Sequence, residues 1–219
     1  MTGRILRGGV AALLLFLAAG TSAPAHATTF APLSVEQFTD ASTWIVEGKV
    51  TRVWTELDEE RMVVWTHAEL DLSEVYKGPR LGSDAPSTLV VSSIGGSHGG
   101  ITTEVPGHAS FSVGEQAFLF LDELSGGQLV PVSKFLGKLT VRRAPGERRN
   151  YGVRWQAKAQ EQFDHRFLPH PAPEQRFYLD DLRVQVQQRV AAGWDGQPIE
   201  GVPTERLESI NSIERRAVR

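Results

Sequence analysis

The sequence predicts a mainly β fold, a small closed or partly open β-barrel with a short helix before it and another helix after it. Several short segments alternate apolar and polar residues with the period of two that a half-buried strand requires. Gly- and Pro-rich turns separate these segments, which is typical of antiparallel barrels. No helical pattern lies between the predicted strands, whereas a parallel sheet would need crossover helices there.

The first 27 residues have the pattern of a secretory signal peptide. Arg4 and Arg7 precede an apolar run over Val10–Ala19, and Ala25–Ala27 matches the small-residue cleavage site. We expect the mature chain to begin at Thr28 and to be exported, to the periplasm or to the outside of the cell. The apolar run is too short to span a bilayer, and no later run is longer, so no transmembrane anchor is predicted.

Composition narrows the classes of site and partner. The 219 residues suffice for one domain of ordinary size and a tail. The chain has no cysteine, which excludes disulfides and thiolate metal ligands. The formal net charge is −3 and becomes −5 without the predicted signal peptide, which holds two arginines and no acid. Nucleic acid is therefore a poor partner.

A short helix is predicted before the first strand. Ser34, followed three residues later by Gln37, matches a capping box, and Leu33 and Phe38 stand at the two positions of a hydrophobic staple. We expect this helix to end at about Ala41 and to bury Phe38.

Ser42–Gly78 is predicted to form two long strands joined by a charged turn at Leu57–Glu60. In the first strand the alternation assigns to the core face Trp44, Val46, Gly48, Val50 and Trp54. It assigns to the solvent face Glu47, Lys49 and Thr51. A glycine in the core face of a strand marks a bend or the close approach of another backbone, which we expect at Gly48.

The second strand of this pair changes face near its end. Its predicted core face holds Met62, Val64, Ala68, Leu70 and Leu72. Its predicted solvent face holds His67, Glu69, Asp71 and Ser73. From Val75 onward the apolar residues occupy odd instead of even positions. One extra residue in the strand would cause this change, so we predict a β-bulge at Ser73–Glu74.

Five later segments are predicted to complete the barrel domain, which we expect to span residues 28–160. They are Ser87–Val91, Ala117–Leu121, Gln128–Val132, Lys134–Arg142 and, after a turn at Ala144–Glu147, Tyr151–Trp155. Ala117–Leu121 is apolar throughout and is predicted to be buried on both faces.

Beyond the barrel, residues 161–173 form a predicted Pro-rich linker. Residues 174–192 form a predicted helix, because apolar residues recur there at helical spacing and Gly193 suits the position after its end. Residues 193–219 are polar and are predicted to be a flexible tail.

A Gly-rich segment holds the nearest approach to a cluster of metal ligands. Gly95–Gly100 has four glycines in six residues and is predicted to be a mobile loop. His98, Glu104 and His108 could bind one ion if the loops brought them together. Histidines in exposed loops are usually solvated, and the H-E-x-x-H spacing of zinc hydrolases does not occur here. We predict no cofactor and no metal, with these three residues as the weak alternative.

No catalytic residue is predicted. Ser97 lies beside His98, but adjacent residues of an extended segment rarely face each other, and the G-x-S-x-G elbow of hydrolases is missing from the sequence. The acidic pair Asp122–Glu123 ends a strand and the pair Asp180–Asp181 begins a helix. Turn chemistry and the helix dipole explain both pairs.

Several residues are candidates for contact with a partner. Four arginines flank the predicted turn at Ala144–Glu147: Arg142, Arg143, Arg148 and Arg149. They are either the solvated tip of a hairpin or a contact for an anionic envelope surface or an acidic partner. Trp65 has the parity opposite to the core face and is predicted to be exposed, and Thr28 would carry the mature amino terminus.

Three segments resemble a group of uncharacterised secreted bacterial proteins. They read W-I-V-E-G-K-V at Trp44–Val50, E-V-Y-K-G at Glu74–Gly78 and F-S-V-G-E-Q-A-F-L-F-L at Phe111–Leu121. The shared pattern covers about Ser34–Val141. More distantly, the first helix, the first two strands and the Lys-Gly pair are similar to the N-terminal domain of the tissue inhibitors of metalloproteinases, a netrin-like module.

This resemblance implies an OB-like barrel of five strands. The inhibitors bind the protease zinc through an N-terminal cysteine held by disulfides. The present chain has no cysteine and is expected to begin at Thr28, so the resemblance does not extend to that mechanism.

We therefore expect a secreted, non-enzymatic module that binds a protein, with an exported protease, inhibited or assisted, as the candidate partner. Two other functions stay open from the sequence. One is a metal-dependent or serine-type hydrolase that uses the loop around His98. The other is a structural component of the cell envelope.

Overall fold

An eight-stranded mixed sheet forms the centre of the protein, so the prediction of a mainly β fold is confirmed. The computed structural model describes residues 33–105, 107–143, 146–154, 161–163, 169–171 and 175–217. The predicted signal peptide and Thr28 lie outside these ranges. Pro106, Ala144, Pro145 and Trp155 also lie outside them.

The described residues contain the following elements. The strands are β1 (Trp44–Asp58), β2 (Val63–Lys77), β3 (Thr88–Ile94), β4 (Gly96–His98), β5 (Ile101–Thr103), β6 (Gln116–Glu123), β7 (Leu129–Pro131), β8 (Lys138–Arg143), β9 (Asn150–Arg154), β10 (Glu161–Phe163), β11 (Pro169–Pro171) and β12 (Gln175–Tyr178). The helices are α1 (Val35–Ala41), α2 (Leu179–Ala192) and α3 (Thr204–Ala217), with 3₁₀ turns at Gly82–Asp84 and Lys134–Gly137.

The order of strands in the large sheet is β1-β2-β3-β7-β6-β8-β9-β12, and β1 also pairs with β6. The pairing of β3 with β7 is parallel, at Val91 and Leu129, and the other neighbours are antiparallel. Two further pairs, β4–β5 and β10–β11, form separate two-stranded sheets. The β10–β11 pair lies within the predicted linker.

Helix α1 begins as the sequence predicts. The Ser34 hydroxyl accepts a hydrogen bond from the Gln37 backbone N–H, and the Gln37 side chain accepts one from the Ser34 N–H at 2.9 Å. Phe38 is completely buried, with its ring centroid 5.4 Å from that of Phe120 on β6. The capping box and the inward Phe38 are confirmed.

The bulge predicted in β2 is confirmed. Glu47 pairs with Glu74 and the next residue, Gly48, pairs with Leu72, which leaves Ser73 as the extra residue. A Cβ atom on Gly48 would lie 2.6 Å from the carbonyl oxygen of Asp71, so the predicted close approach of another backbone at Gly48 is also confirmed.

Several predictions for this pair of strands are wrong. The turn spans residues 59–62 instead of Leu57–Glu60, because Leu57 and Asp58 still pair with β2. Met62 consequently lies in the turn, with φ of +52° and 59% exposure, and not in the core. Glu47 and His67 are buried although their parity predicts exposure, because charged and aromatic partners from other elements cover them.

The central strand β6 is covered on both faces. Residues 117–121 have no exposed surface, as the sequence predicts. Val46 and Leu119 pair on one face, while Phe118 and Phe120 lie on the opposite face, toward α1 and Tyr76. The core therefore has two layers, one on each side of the sheet formed by β1 and β6.

The Gly-rich segment predicted to be a mobile loop is a hairpin of β4 and β5. Gly99 and Gly100 join the strands with φ of +56° and +83°, the left-handed conformations that a two-residue type I′ turn requires. The hairpin is fixed to the first two strands. The Gly95 N–H donates to the Val64 carbonyl at 2.8 Å, and the Thr55 hydroxyl donates to the Ser97 carbonyl at 2.9 Å.

The second half of the chain departs from the predicted boundaries in three places. The first half of the predicted strand Lys134–Arg142 is a 3₁₀ turn, and β8 begins only at Lys138. The helix predicted over 174–192 begins at Leu179, because Gln175–Tyr178 pair with β9; its end at Ala192 before Gly193 is confirmed. The predicted flexible tail contains α3, which buries Leu207 and Ile210.

Pairs of arginine and carboxylate connect the C-terminal helices to the strands and to α1. Arg183 of α2 binds the Glu47 carboxylate of β1 through both of its oxygens. Arg189 of α2 binds the Asp40 carboxylate of α1 through both of its oxygens. Further pairs among the described residues join Arg149 to Asp180 and Asp181, and Arg206 to Asp122. Bidentate pairs of this kind fix orientation as well as distance.

In the described part of the chain, no helix is both long and apolar enough to cross a bilayer.

A buried lysine next to the Asp40 pair makes the stability depend on pH. Lys77 is 4% exposed and donates to the Thr39 carbonyl at 2.7 Å. Burial lowers the pKa of its amine from 10.5 to about 8, an effect that Asp40 partly opposes. The unfolded chain therefore holds this proton at pH values where the folded chain has released it. The free energy of unfolding is expected to rise by about 3 kcal/mol between about pH 8 and about pH 10.5.

Urea unfolding of the wild type and of Lys77→Met at about pH 7.5 and about pH 10 measures this effect. The other titrating groups are common to both proteins, so the difference between the two curves isolates Lys77. Between these two pH values the free energy of unfolding is expected to rise by about 2 kcal/mol more in the wild type than in Lys77→Met. An equal rise in both proteins would contradict the assignment to Lys77.

Candidate binding cleft

An open cleft lies where β1, β6 and β8 adjoin. Its volume is about 950 Å³. Its walls combine side chains from these three strands with the loop that precedes β6 and the 3₁₀ turn that precedes β8. The lining residues are Lys49, His108, Ala109, Ser110, Ser112, Gly114, Glu115, Gln116, Phe135, Lys138, Thr140, Val141 and Arg142.

The cleft exists because the strand pairing stops. The ladder between β6 and β8 ends at Ala117 and Thr140. Before Ala117 the chain turns toward β1, where the Val50 N–H donates to the Glu115 carbonyl and the Gly114 N–H donates to the Val50 carbonyl, both at 2.8 Å. The loop thus lies on β1 and leaves open the space beside the end of β8.

Lys138 and Glu115 form the polar floor of the cleft. The ammonium of Lys138 lies 2.6 Å from a Glu115 carboxylate oxygen and donates to the Ser110 carbonyl. The same carboxylate oxygen accepts from the Thr140 hydroxyl, and the other oxygen accepts from the Ser112 N–H at 3.1 Å. Three donors of the protein therefore bind a carboxylate that has about four acceptor positions.

The register explains why a lysine lies at this depth. Lys138 pairs with Leu119, and Leu119 pairs with Val46. The Lys138 side chain therefore lies on the same face of the sheet as these two buried side chains. Only 9% of the Lys138 side chain is exposed, and its ammonium lies 4.9 Å from the ring centroid of Phe111. Burial lowers the pKa of the Lys138 amine, and the Glu115 carboxylate opposes that shift.

The rim of the cleft is basic. Lys49 of β1 and Arg142 of β8 are exposed, and His108 is half-buried with its Nδ1 3.0 Å from the Val105 carbonyl oxygen. Among the described side chains that line the cleft, Glu115 is the one acid. Because Lys138 compensates the charge of Glu115, the described side chains that line the cleft carry a formal charge of +2, from Lys49 and Arg142.

The three weak candidates for a metal site are not brought together. His98 lies on β4, where its Nδ1 is 3.3 Å from the Thr55 hydroxyl, and Glu104 follows β5. Over the described ranges, no group of three His, Asp or Glu side chains is close enough to hold one ion. Ser97 bonds to the Thr102 hydroxyl at 2.8 Å.

The residues predicted to contact a partner have different surroundings in the structure. Arg149 is engaged within the protein, 2.6 Å from Asp181 and with its guanidinium over the Tyr178 ring, and Arg143 donates to the Arg148 carbonyl. Trp65 is half-buried in β2 instead of exposed. Of the four arginines, Arg142 lines the cleft.

The principal residues of the cleft are not apparent from the sequence. Alternation predicts a solvent face for Lys49, and it singles out neither Lys138, within the predicted strand Lys134–Arg142, nor Glu115. One signal is present in the sequence: Gly114 and Glu115 lie just before the apolar run Ala117–Leu121, separated from it by Gln116, in the segment that carries the family resemblance. Neither the protein-family models nor the curated protein sequences that were searched match this chain.

Proposed function

We propose that this protein is a secreted, non-enzymatic module that binds a protein partner. The cleft beside β8 carries the proposal. Its volume of about 950 Å³ lies in the range of natural ligand clefts, and it joins apolar surface from Phe135 and Val141 to a few fixed polar groups. Such a combination is suited to holding a short segment of another chain.

We further propose that the cleft belongs to an OB-like barrel. The pairings β1–β2, β2–β3, β3–β7, β7–β6 and β6–β1 return to the first strand, which supports a closed ring of five strands. Barrels of this class bind ligands through loops and strand surfaces and need no catalytic groups for it.

The partner that we propose is itself exported. The pattern of residues 1–27 supports export of this chain, and the resemblance to metalloproteinase inhibitors suggests a protease as the first partner to test. The proposed role is inhibition or assistance of that protease, through the cleft and not through a chelating N-terminal cysteine.

A pair of adjacent substitutions tests the role of the cleft. Ser112 lines it, whereas the next residue, Val113, is 67% exposed and does not. Ser112→Trp places an indole in the cleft and is expected to reduce capture of an exported partner by about tenfold or more. Val113→Trp adds the same bulk outside the cleft and is expected to leave capture unchanged. Capture by the tagged full chain from the exported fraction, identified by mass spectrometry, is the measurement.

Two results would overturn this proposal. The first is equal capture by both variants, with both folded by thermal unfolding. The second is a hydrolytic activity of the purified protein that His98→Ala or Ser97→Ala abolishes, since this would establish an enzyme centred on the β4–β5 hairpin.

A further inference from the structure

We propose that the cleft selects an acidic, extended peptide segment of the partner, whose carboxylates bind Lys49 and Arg142 at the rim while its backbone lies over the floor formed by Lys138 and Glu115. This inference rests on the proposed function and names the chemistry that the cleft recognises.

The charges of the cleft favour carboxylates. Lys49 and Arg142 are both exposed at the rim, and Lys49 forms no ion pair within the described residues. Lys49 pairs with Gln116, whereas Arg142 has the parity of Thr140, which pairs with Ala117. The two cations therefore stand on opposite sides of the sheet edge, and an extended segment crosses that edge to reach both. Glu115 does not repel an incoming carboxylate strongly, because Lys138, Thr140 and the Ser112 N–H hold its charge. A positive potential in a cleft with low-dielectric walls raises the local concentration of anionic groups.

The floor can also donate to the ligand. An ammonium has three N–H donors. Lys138 uses two of them, on Glu115 and on the Ser110 carbonyl. The ammonium also lies 4.9 Å from the Phe111 ring centroid, and in the proposed complex its third N–H donates to an oxygen of the bound segment. A charge-assisted hydrogen bond at this depth is stronger than one at the rim.

The rest of the cleft fits a peptide better than a dense polyanion. Val141 is half-buried and, with the small exposed part of Phe135, provides apolar surface for side chains between the carboxylates. The whole chain carries a formal net charge of −3, so a nucleic acid or a sulfated glycan would meet repulsion beyond the few cations of the rim. A peptide with spaced carboxylates needs only those few cations.

The test uses the full exported chain and two peptides of about ten residues, one alternating Glu and Ala and one alternating Gln and Ala. Affinity is measured by calorimetry at about 50 mM and about 300 mM salt. We expect the Glu peptide to bind at least about tenfold more tightly than the Gln peptide, and we expect the higher salt concentration to weaken its binding.

Substitutions locate the binding site. Lys49→Gln combined with Arg142→Gln is expected to weaken binding of the Glu peptide by about tenfold. Arg80→Gln is the matched control, because Arg80 is an exposed cation that does not line the cleft, and it is expected to leave binding unchanged. Thermal unfolding of each variant verifies that it is folded.

Three outcomes would overturn the inference. They are equal affinity for the two peptides, no effect of the double substitution, and tighter binding of a heparin-derived hexasaccharide at the same residues. If Ser112→Trp prevents capture of a partner but the Glu peptide is not preferred, the proposed function stands and this inference fails. If the Glu peptide binds at the rim but no exported protein is captured, the chemistry of the cleft stands and the proposed function fails.

Discussion

Gly137→Ala is expected to lower the free energy of unfolding by about 3 kcal/mol or more. A Cβ atom at this position would lie 2.6 Å from both the N and O atoms of Val132 and 2.7 Å from the Phe120 carbonyl oxygen. All three atoms belong to the backbone. The Val132 N–H donates to that Phe120 carbonyl at 2.9 Å, so making room for the methyl group breaks a buried hydrogen bond at the edge of β6.

Gly126→Ala is the matched control. Gly126 lies in the turn before β7 with no atom within 4 Å of an added Cβ, and its φ is not positive. This substitution is expected to be neutral or to stabilise the protein by about 0.5 kcal/mol, because it restricts the unfolded chain. Urea unfolding followed by tryptophan fluorescence measures both variants. A loss below about 1 kcal/mol for Gly137→Ala would mean that the 3₁₀ turn can move away from β6.

The local elements of the fold could be predicted from the sequence because their causes are local. The capping box at Ser34 needs only Gln37 three residues later, and the bulge at Ser73 is visible as a change of parity between Leu72 and Val75. The burial of β6 on both faces follows from its composition. These features depend on propensity and pattern within a few residues.

The cleft could not be predicted because it depends on register between distant strands. Lys138 and Glu115 are 23 residues apart in sequence. They meet only because β8 pairs with β6 while the loop before β6 forms hydrogen bonds with β1. Alternation along a strand shows that two residues share a face. It does not show whether that face continues into a neighbouring strand or ends at an opening.

The errors at Glu47 and in the C-terminal tail have one physical cause. Glu47 is buried because Arg183, 136 residues later, satisfies its carboxylate, and no local pattern signals such a partner. Likewise the described side chains of α3 include two buried apolar ones, Leu207 and Ile210, and such a sparse pattern does not predict a helix in a polar segment. In both cases tertiary contacts outweigh the local pattern.

Arg189→Met is expected to lower the free energy of unfolding by about 3 kcal/mol at neutral pH. Arg189 of α2 and Asp40 of α1 pair at 2.6 Å with side-chain exposures of only 15% and 6%. Removing the guanidinium leaves the Asp40 carboxylate buried with Lys77 as its nearest remaining cation. Arg61→Met, which breaks the exposed pair with Asp58, is the control and is expected to cost less than about 1 kcal/mol.

The cost of Arg189→Met is expected to depend on pH in a definite direction. Burial raises the pKa of Asp40 above its usual value of 3.8, and Arg189 is the main group that opposes this shift. Without Arg189 the pKa of Asp40 rises further. The unfolded chain then loses this proton at a lower pH than the folded chain, so the variant loses stability as pH rises above about 4. The difference in free energy of unfolding between the wild type and Arg189→Met should be small near pH 4 and largest near neutrality.

The double variant Asp40→Asn/Arg189→Met separates charge from packing. If the buried carboxylate causes the loss, neutralising it should recover part of the stability and remove the dependence on pH. Urea unfolding at about pH 4 and about pH 7 provides the comparison. If the free energy of unfolding falls by the same amount in the single and the double variant at both pH values, the methylenes of Arg189, and not its charge, hold α2 against α1.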